Sequence, residues 1–295
     1  MQDDLGGKTF VVTGANTGIG RATVEALAAR GAGRIVVASR SREKTEPVLA
    51  ALRAASPSTD VQFVALELGD LASVARAADE ILSKGWAIDA LIDNAGIAGV
   101  QGLTKDGFEL TFGTNHLGHF LFTEKLLPLV EKAPQGRIVI VSSDGHYRAR
   151  GIDWDALRKP TAHTTALPEY FVSKLCNVLY AKELTRRLRG TQVTTYSLHP
   201  GGVASDIWER RSRVLSMILK PFLITNEKGA RTQVRCATDP TLARESGLYY
   251  AKETPREPSK LAHDEALQDE LVRRSREWVA PFLAGATRAA TTAPA

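Results

Sequence analysis

Apolar residues fall in short unbroken runs, and longer stretches with a helical repeat separate them. Thr9 to Thr13 (TFVVT), Arg34 to Ser39 (RIVVAS), Val61 to Leu66, Ala90 to Ile92, Arg137 to Ser142 (RIVIVS) and Val193 to Leu198 read as strands, with Tyr249-Tyr250 as a short seventh. Between them the pattern predicts helices over Gly18 to Arg30, from after Ser39 to about Ala55, and over Leu71 to Lys84, Phe108 to Glu131 and Glu169 to Arg189. The strands are continuously apolar instead of alternating, as expected when helices cover both faces of a parallel sheet. The fold class expected is therefore α/β, a doubly wound and mostly parallel sheet of Rossmann type. No linker or break in composition interrupts the pattern, so residues 1–284 read as a single domain, and residues 285–295 (GATRAATTAPA) read as a disordered tail.

Composition narrows the class without changing it. Of 295 residues, 43% are apolar and 24% charged, the balance of a soluble globular protein. The net charge is +5, yet the basic runs Glu209 to Arg213 and Arg273 to Arg276 look like helix faces and lack aromatic interleaving, so nucleic acid is not expected as a partner. No apolar run is long enough to span a bilayer. Two separated cysteines, Cys176 and Cys236, fit a reducing compartment and offer no metal spacing, so a cytoplasmic protein without a metal is expected.

The first strand runs into Thr13-Gly14-Ala15-Asn16-Thr17-Gly18-Ile19-Gly20, where a helix begins. Glycines let the backbone turn and approach a pyrophosphate, and the helix N-terminus supplies free N–H groups. The second strand ends in Arg40 with Arg42 and Lys44 close behind, and no acid stands there. A guanidinium suits a 2′-phosphate, which favours NADP(H) over NAD(H). Tyr170 and Lys174, four positions apart on a helix, share one face. A tyrosine with a pKa of about 10 becomes a useful base only if neighbouring cations lower it, and Lys174 and an oxidised nicotinamide ring are expected to do so.

These motifs resemble the short-chain dehydrogenase/reductase family, and the wording Gly14-Ala15-Asn16-Thr17-Gly18-Ile19-Gly20 resembles its retinol-dehydrogenase-like branch. The resemblance implies that Gly14, Asn16, Thr17, Gly18, Ile19 and Gly20 hold the cofactor phosphates. It implies that Glu67, in a position usually held by Asp, and Leu68 contact the adenine. Asn94, Ala95 and Gly96 match the last three residues of the family's N-N-A-G, with Asp93 in place of the first Asn. Asp93 itself reads as a strand-end residue bound to a nearby loop. Ser143, Tyr170, Lys174 and Asn115 fill the family's catalytic positions. By the same resemblance Ser143 bonds the substrate oxygen, and Asn115 holds a water that links Lys174 to solvent. The implied proton path runs from Tyr170 through the cofactor ribose and Lys174 to that water. Tyr170, Lys174, Pro200 and Gly201 also contact the cofactor, while the Val203 backbone and the Ser205 hydroxyl hold its carboxamide.

The resemblance implies an oxidoreductase that moves a hydride between nicotinamide and a carbonyl or alcohol carbon. Segments 144–167 and 205–226 are expected to form the substrate pocket, the second as a lid. Its apolar run, Val214 to Ile224, points to a retinoid, a steroid or another lipophilic ketone or aldehyde; membrane docking and core filling are its other readings. The branch's membrane-bound members carry an N-terminal anchor that the few residues before the first strand do not provide. Helices Phe108–Glu131 and Glu169–Arg189 are the family's usual dimer faces, so a homodimer and a monomer both stay open. His116, His119 and Cys176 read as structural. A catalytically silent NADP-sensing or scaffold protein is the alternative, against which stands the retention of all four catalytic positions.

Overall fold

The computed structural model describes residues 5–201 and 225–283. Eight strands form one sheet in the order β3-β2-β1-β4-β5-β6-β7-β8. They are β1 (Thr9–Thr13), β2 (Arg34–Ser39), β3 (Asp60–Ala65), β4 (Ala90–Asp93), β5 (Arg137–Val141), β6 (Thr194–His199), β7 (Leu248–Ala251) and β8 (Thr254–Arg256). All neighbours are parallel except β7 and β8. The connecting helices are α1 (Gly18–Ala29), α2 (Arg42–Ala55), α3 (Leu71–Lys84), α4 (Leu110–Phe112), α5 (Gly118–Val130), α6 (Leu167–Arg187), α7 (Asn226–Thr238) and α8 (Glu265–Leu283).

The apolar runs explain the layering. Alternate side chains of β1 go to opposite faces: Val11 joins the core under α3, α5, α6 and α8, while Phe10 and Val12 join the core under α1, α2 and α7. Both faces are covered, so every residue of β1 and β5 is buried. The expected Rossmann-type fold is thus the observed one. Strand order reverses between β1 and β4, so the chains leaving their C-terminal ends part and open a crevice there.

Three departures from the expected elements have local causes. Residues 108–131 do not form one regular helix: α4 and α5 are joined by a π-helical turn, Gly113–Leu117, which carries Asn115. An apolar repeat does not register a slip of one residue. Helix α7 was not anticipated because its sequence, NEKGARTQVRCAT, shows little apolar pattern. Strand β8 is exposed throughout and contains Pro255, which an edge strand tolerates. The basic run at residues 209–213 and the apolar run at 214–224 lie outside the described residues.

Helix α8 lies across α5 and α6, the helices offered by the resemblance as a dimer face. Arg276 Nη2 reaches Glu124 Oε2 at 3.2 Å, and Lys125 Nζ reaches the Phe282 carbonyl at 3.2 Å. The Trp278 ring packs against Phe108 and Phe112, with centroids 5.4 and 5.8 Å away. Ser275 Oγ lies 3.3 Å from His116 Nε2, so α8 also backs the π-turn. Leu271 of α8 is fully buried. Leu271→Ala is expected to lower the unfolding free energy by about 2–5 kcal/mol in urea titrations. A loss below about 1 kcal/mol would show α8 to be peripheral to the core.

Candidate functional site

The crevice is lined by the turn after β1 on one side and the chain after β4 on the other. Gly14 has φ +65°, and its N–H bonds the Ala38 carbonyl at 2.8 Å. A Cβ at Gly14 would lie 2.9 Å from the Ala95 Cβ, and one at Gly20 would lie 2.5 Å from both Asn94 Nδ2 and the Gly14 carbonyl. The two walls touch backbone to backbone, which leaves the first turn of α1 facing the crevice. Its N–H groups from Gly18, Ile19 and Gly20, with Asn16 and Thr17 just before, form the end of a helix that favours an anion. Asn94 is locked by Nδ2 to the Thr13 carbonyl at 2.8 Å. Asn226, at the start of α7 and not anticipated, has Oδ1 buried without a partner among the described residues, 3.9 Å from where a Gly18 Cβ would sit. This cradle fits a dinucleotide pyrophosphate.

At the end of β2, Arg40 Nη1 lies 3.7 Å from Glu67 Oε2, and Glu67 Oε1 accepts from the Gly69 N–H at 3.1 Å. The parallel register Ser39↔Ala65 carries the two chains side by side and produces this pairing. Arg40 and Glu67, expected to serve different parts of the cofactor, thus hold one another. Both are well exposed, so the pair is worth at most about 1 kcal/mol and yields readily to a phosphate. Leu68 is buried beside them.

The four candidate catalytic residues meet at the C-terminal ends of β4 and β5. Lys174 is 4% exposed, and its Nζ donates to the Val141 carbonyl at 2.9 Å. Asn177 Nδ2 donates to the same carbonyl at 3.1 Å, and Ser142 Oγ donates to the Lys174 carbonyl at 2.7 Å. These bonds tie α6 to the end of β5 and fix the Lys174 stem. Burial brings its ammonium down to about 8. Gly96 leaves room for that ammonium, since a Cβ there would lie 3.4 Å from Nζ. Asn115 is fully buried and grips Ile97 twice, accepting its N–H at 2.8 Å and donating to its carbonyl at 2.9 Å. Its Nδ2 also donates to Ser173 Oγ at 3.1 Å.

The Tyr170 ring centroid lies 5.8 Å from Lys174 Nζ, and Ser143 Oγ accepts from the Gly145 N–H at 3.0 Å. The expected lowering of the Tyr170 pKa depends on an oxidised nicotinamide ring as well as on Lys174, and the protein's own groups act the other way. Burial pushes the Tyr170 phenol up, and the Ser143 hydroxyl opposes this only in part. Lys174 spends a hydrogen bond on Val141 instead of on the phenol. Among the protein's own groups, therefore, desolvation wins and Tyr170 is a proton donor.

The segment after Ser143 was expected to serve only as pocket wall, but its first residues hold Ser143 in place. His146 Nδ1 donates to the Ser143 carbonyl at 2.7 Å, and its Nε2 accepts from the Ser259 N–H at 3.0 Å. Asp144 accepts from Tyr249 Oη at 2.9 Å and from Arg256 Nη1 at 3.0 Å. Strands β7 and β8 thus anchor the Ser143 loop, a tertiary link with no sequence signature. Pro200 and Gly201 follow β6 toward the same end of the sheet, and Gly201 has φ +100°. Val203, Ser205 and all but the last two residues of the segment 205–226 expected to form a lid lie outside the described residues. Cys176 is buried in the core, and His116 is buried among Phe112, Phe120 and Tyr180. A surface cavity of about 530 Å³ lies along α7, lined by Arg30, Arg231, Arg235 and Thr238, and none of the candidate site residues lines it.

Comparison with known proteins matches this geometry to one family. Residues 8–153 match the family model for short chain dehydrogenase. The chain is 41% identical over 279 residues to dehydrogenase/reductase SDR family member 13 of Bos taurus, covering 92% of this chain and 73% of the relative. It is 39% identical over 251 residues to retinol dehydrogenase 12 of Homo sapiens, covering 84% and 78%. The crystal structure of an uncharacterized protein from Mycobacterium paratuberculosis superposes with a TM-score of 0.75 at 31% identity, covering 94% and 95%. A short chain dehydrogenase from Escherichia coli CFT073, solved with NADPH, shares the fold at 20% identity with a TM-score of 0.68, covering 86% and 100%.

Asp93 departs from the reading of a loop-binding residue. It is 1% exposed, accepts from Thr123 Oγ1 of α5 at 2.8 Å, and its Oδ1 has no partner among the described residues. Burial pushes its carboxyl up to about 7, opposed only by Thr123. An unfolded Asp titrates at about 3.9, so between about pH 4 and 7 the folded protein holds a proton that the unfolded chain releases. Asp93 therefore destabilises the fold above pH 7, and that cost fades as pH falls. Asp93→Asn carries no such cost. Its stability advantage over wild type, read from urea unfolding, is expected to shrink by about 1.4 kcal/mol per pH unit as pH falls through this window. A difference independent of pH would show that Asp93 is not held protonated.

Proposed function

The chain belongs to the short-chain dehydrogenase/reductase family, in its retinol-dehydrogenase-like branch, and from that premise we propose that it is an NADP-dependent reductase of lipophilic aldehydes or ketones. Membership makes it an oxidoreductase that uses a nicotinamide cofactor. The observation that carries the finer reading is the group of half-buried Ser143 and Tyr170 with buried Lys174 at the mouth of a backbone cradle. Nicotinamide, when bound, supplies the hydride. Ser143 and Tyr170 present hydroxyls to the substrate oxygen, and Tyr170 gives it a proton. Tyr170 stands protonated at neutral pH, so in the reductive direction it has the proton to give. Lys174, with its pKa brought down to about 8, is suited to return a proton near neutral pH, and Asn115 holds the turn beside it.

Arg40, paired among the described residues with Glu67 alone and only loosely, supports NADP(H). An apolar substrate is supported by the Phe171 ring, whose centroid lies 6.1 Å from that of Tyr170. The names of the retinol dehydrogenase relatives support it too. Occupation of the α5–α6 face by α8 supports a monomer, and two buried thiols support action in a reducing compartment such as the cytoplasm.

Tyr170→Phe keeps the ring and removes the proton. Turnover of NADPH with a lipophilic aldehyde is expected to fall by about a hundredfold or more, with NADPH affinity nearly kept. Retention of most turnover would overturn the mechanism. Arg40→Ala is expected to weaken NADPH binding by about tenfold while NADH binding changes little. Titration of the two dinucleotides against cofactor-free protein checks this, and an unmoved ratio would remove NADP from the reading.

A further inference from the structure

His119 of α5 is 2% exposed, and its two ring nitrogens face different partners. Nδ1 lies 3.0 Å from the Asn115 carbonyl, and Nε2 lies 2.9 Å from Thr13 Oγ1. A carbonyl only accepts, so Nδ1 carries the proton and Nε2 is the acceptor. Thr13 then donates its hydroxyl proton to Nε2. That leaves two lone pairs on Thr13 Oγ1, and the N–H groups of Asn94 and Ala95, each at 3.0 Å, take them. Every donor and acceptor is used, and only one tautomer satisfies all of them. Burial and the nearby Lys174 charge bring the ring down to about 4, so it takes no second proton near neutral pH.

The bonds form a closed circuit. From Thr13 it runs to the Asn94–Ala95 backbone and along the chain to Ile97. Asn115 grips Ile97 through both its side-chain atoms, and the Asn115 carbonyl returns through His119 to Thr13. One arc is the wall of the cofactor crevice. The other is the π-turn beside Lys174. His119 stands between them, with one nitrogen on each.

We propose that His119 is a positioning residue that couples the two halves of the site: Nε2 sets Thr13 and through it the Asn94–Gly96 backbone, while Nδ1 sets the Asn115 carbonyl of the π-turn. This rests on the oxidoreductase reading above. It assigns a divided role to a histidine that otherwise reads as core packing. A merely packed ring would make no distinction between its two nitrogens.

Two substitutions separate them. His119→Asn places an amide where Nδ1 stood, so it keeps the bond to Asn115 and loses Thr13. His119→Gln, one methylene longer, offers an acceptor where Nε2 stood, so it keeps Thr13 and loses Asn115. His119→Asn is expected to raise the NADPH Kd by about tenfold and to cost kcat much less. His119→Gln is expected to lower kcat by about tenfold and to disturb the Kd much less. NADPH fluorescence titration gives the Kd without turnover. If both variants lose affinity and turnover in equal measure, or lose only melting temperature, the proposal is overturned. Thr13→Val breaks the same link from its other end. In combination with His119→Asn it is expected to add little to the Kd beyond the larger single effect, whereas additive losses would contradict the coupling. Should Tyr170→Phe abolish turnover while the histidine variants show no split, this inference falls alone. Should Tyr170→Phe stay active, the functional reading falls instead.

Discussion

A primary ammonium buried almost completely at the end of a parallel strand is the constraint from which the rest of the site follows. Taking such a charge out of water costs several kcal/mol, and the fold must supply partners in return. The Val141 carbonyl faces Lys174 because β5 ends there, and Asn177 shares that carbonyl. Ser142 pins the Lys174 backbone, Gly96 vacates the space beside Nζ, and Asn115 holds the adjoining chain. The π-turn is the means by which a long helix brings Asn115 inward at this depth. Tyr170, one helical turn before Lys174, is placed by the same anchoring and needs no separate support.

Much of this was legible in the sequence, for identifiable reasons. The strands stood out because RIVVAS and RIVIVS are apolar on both faces, and the sheet buries both faces. Tyr170 and Lys174 were legible because helical spacing alone puts them together. The glycines at 14, 18 and 20 were legible because a tight turn between a strand and a helix demands them. What escaped was tertiary or polar. The Ser143 loop is held by His146 and Asp144 against residues more than a hundred positions away. Helix α7 carries too few apolar residues to announce itself, and β8 is three exposed residues around a proline.

Two chemical expectations changed once neighbours were known. Two cations were expected to act on Tyr170; of these Lys174 commits a bond to Val141, and among the protein's own groups burial raises the phenol. Arg40, with Arg42 and Lys44 behind it, was read at a strand end without an acid, yet the register of β2 with β3 sets Glu67 beside it. In both cases the residue type was read correctly and its immediate partner was not. Asp93 adds a third instance, since a strand-end acid turns out to be sealed beneath α5 with one oxygen unpartnered among the described residues.

We propose that Ser143, Tyr170 and Lys174 direct hydride onto a carbonyl carbon. The most direct test uses NADPH carrying deuterium at the transferring position of nicotinamide C4, a lipophilic aldehyde, and mass analysis of the product. The account predicts an alcohol with one deuterium on the carbinol carbon, delivered from a single face of the ring. An alcohol without deuterium, or no alcohol from any lipophilic aldehyde or ketone while NADPH binds normally, would contradict it.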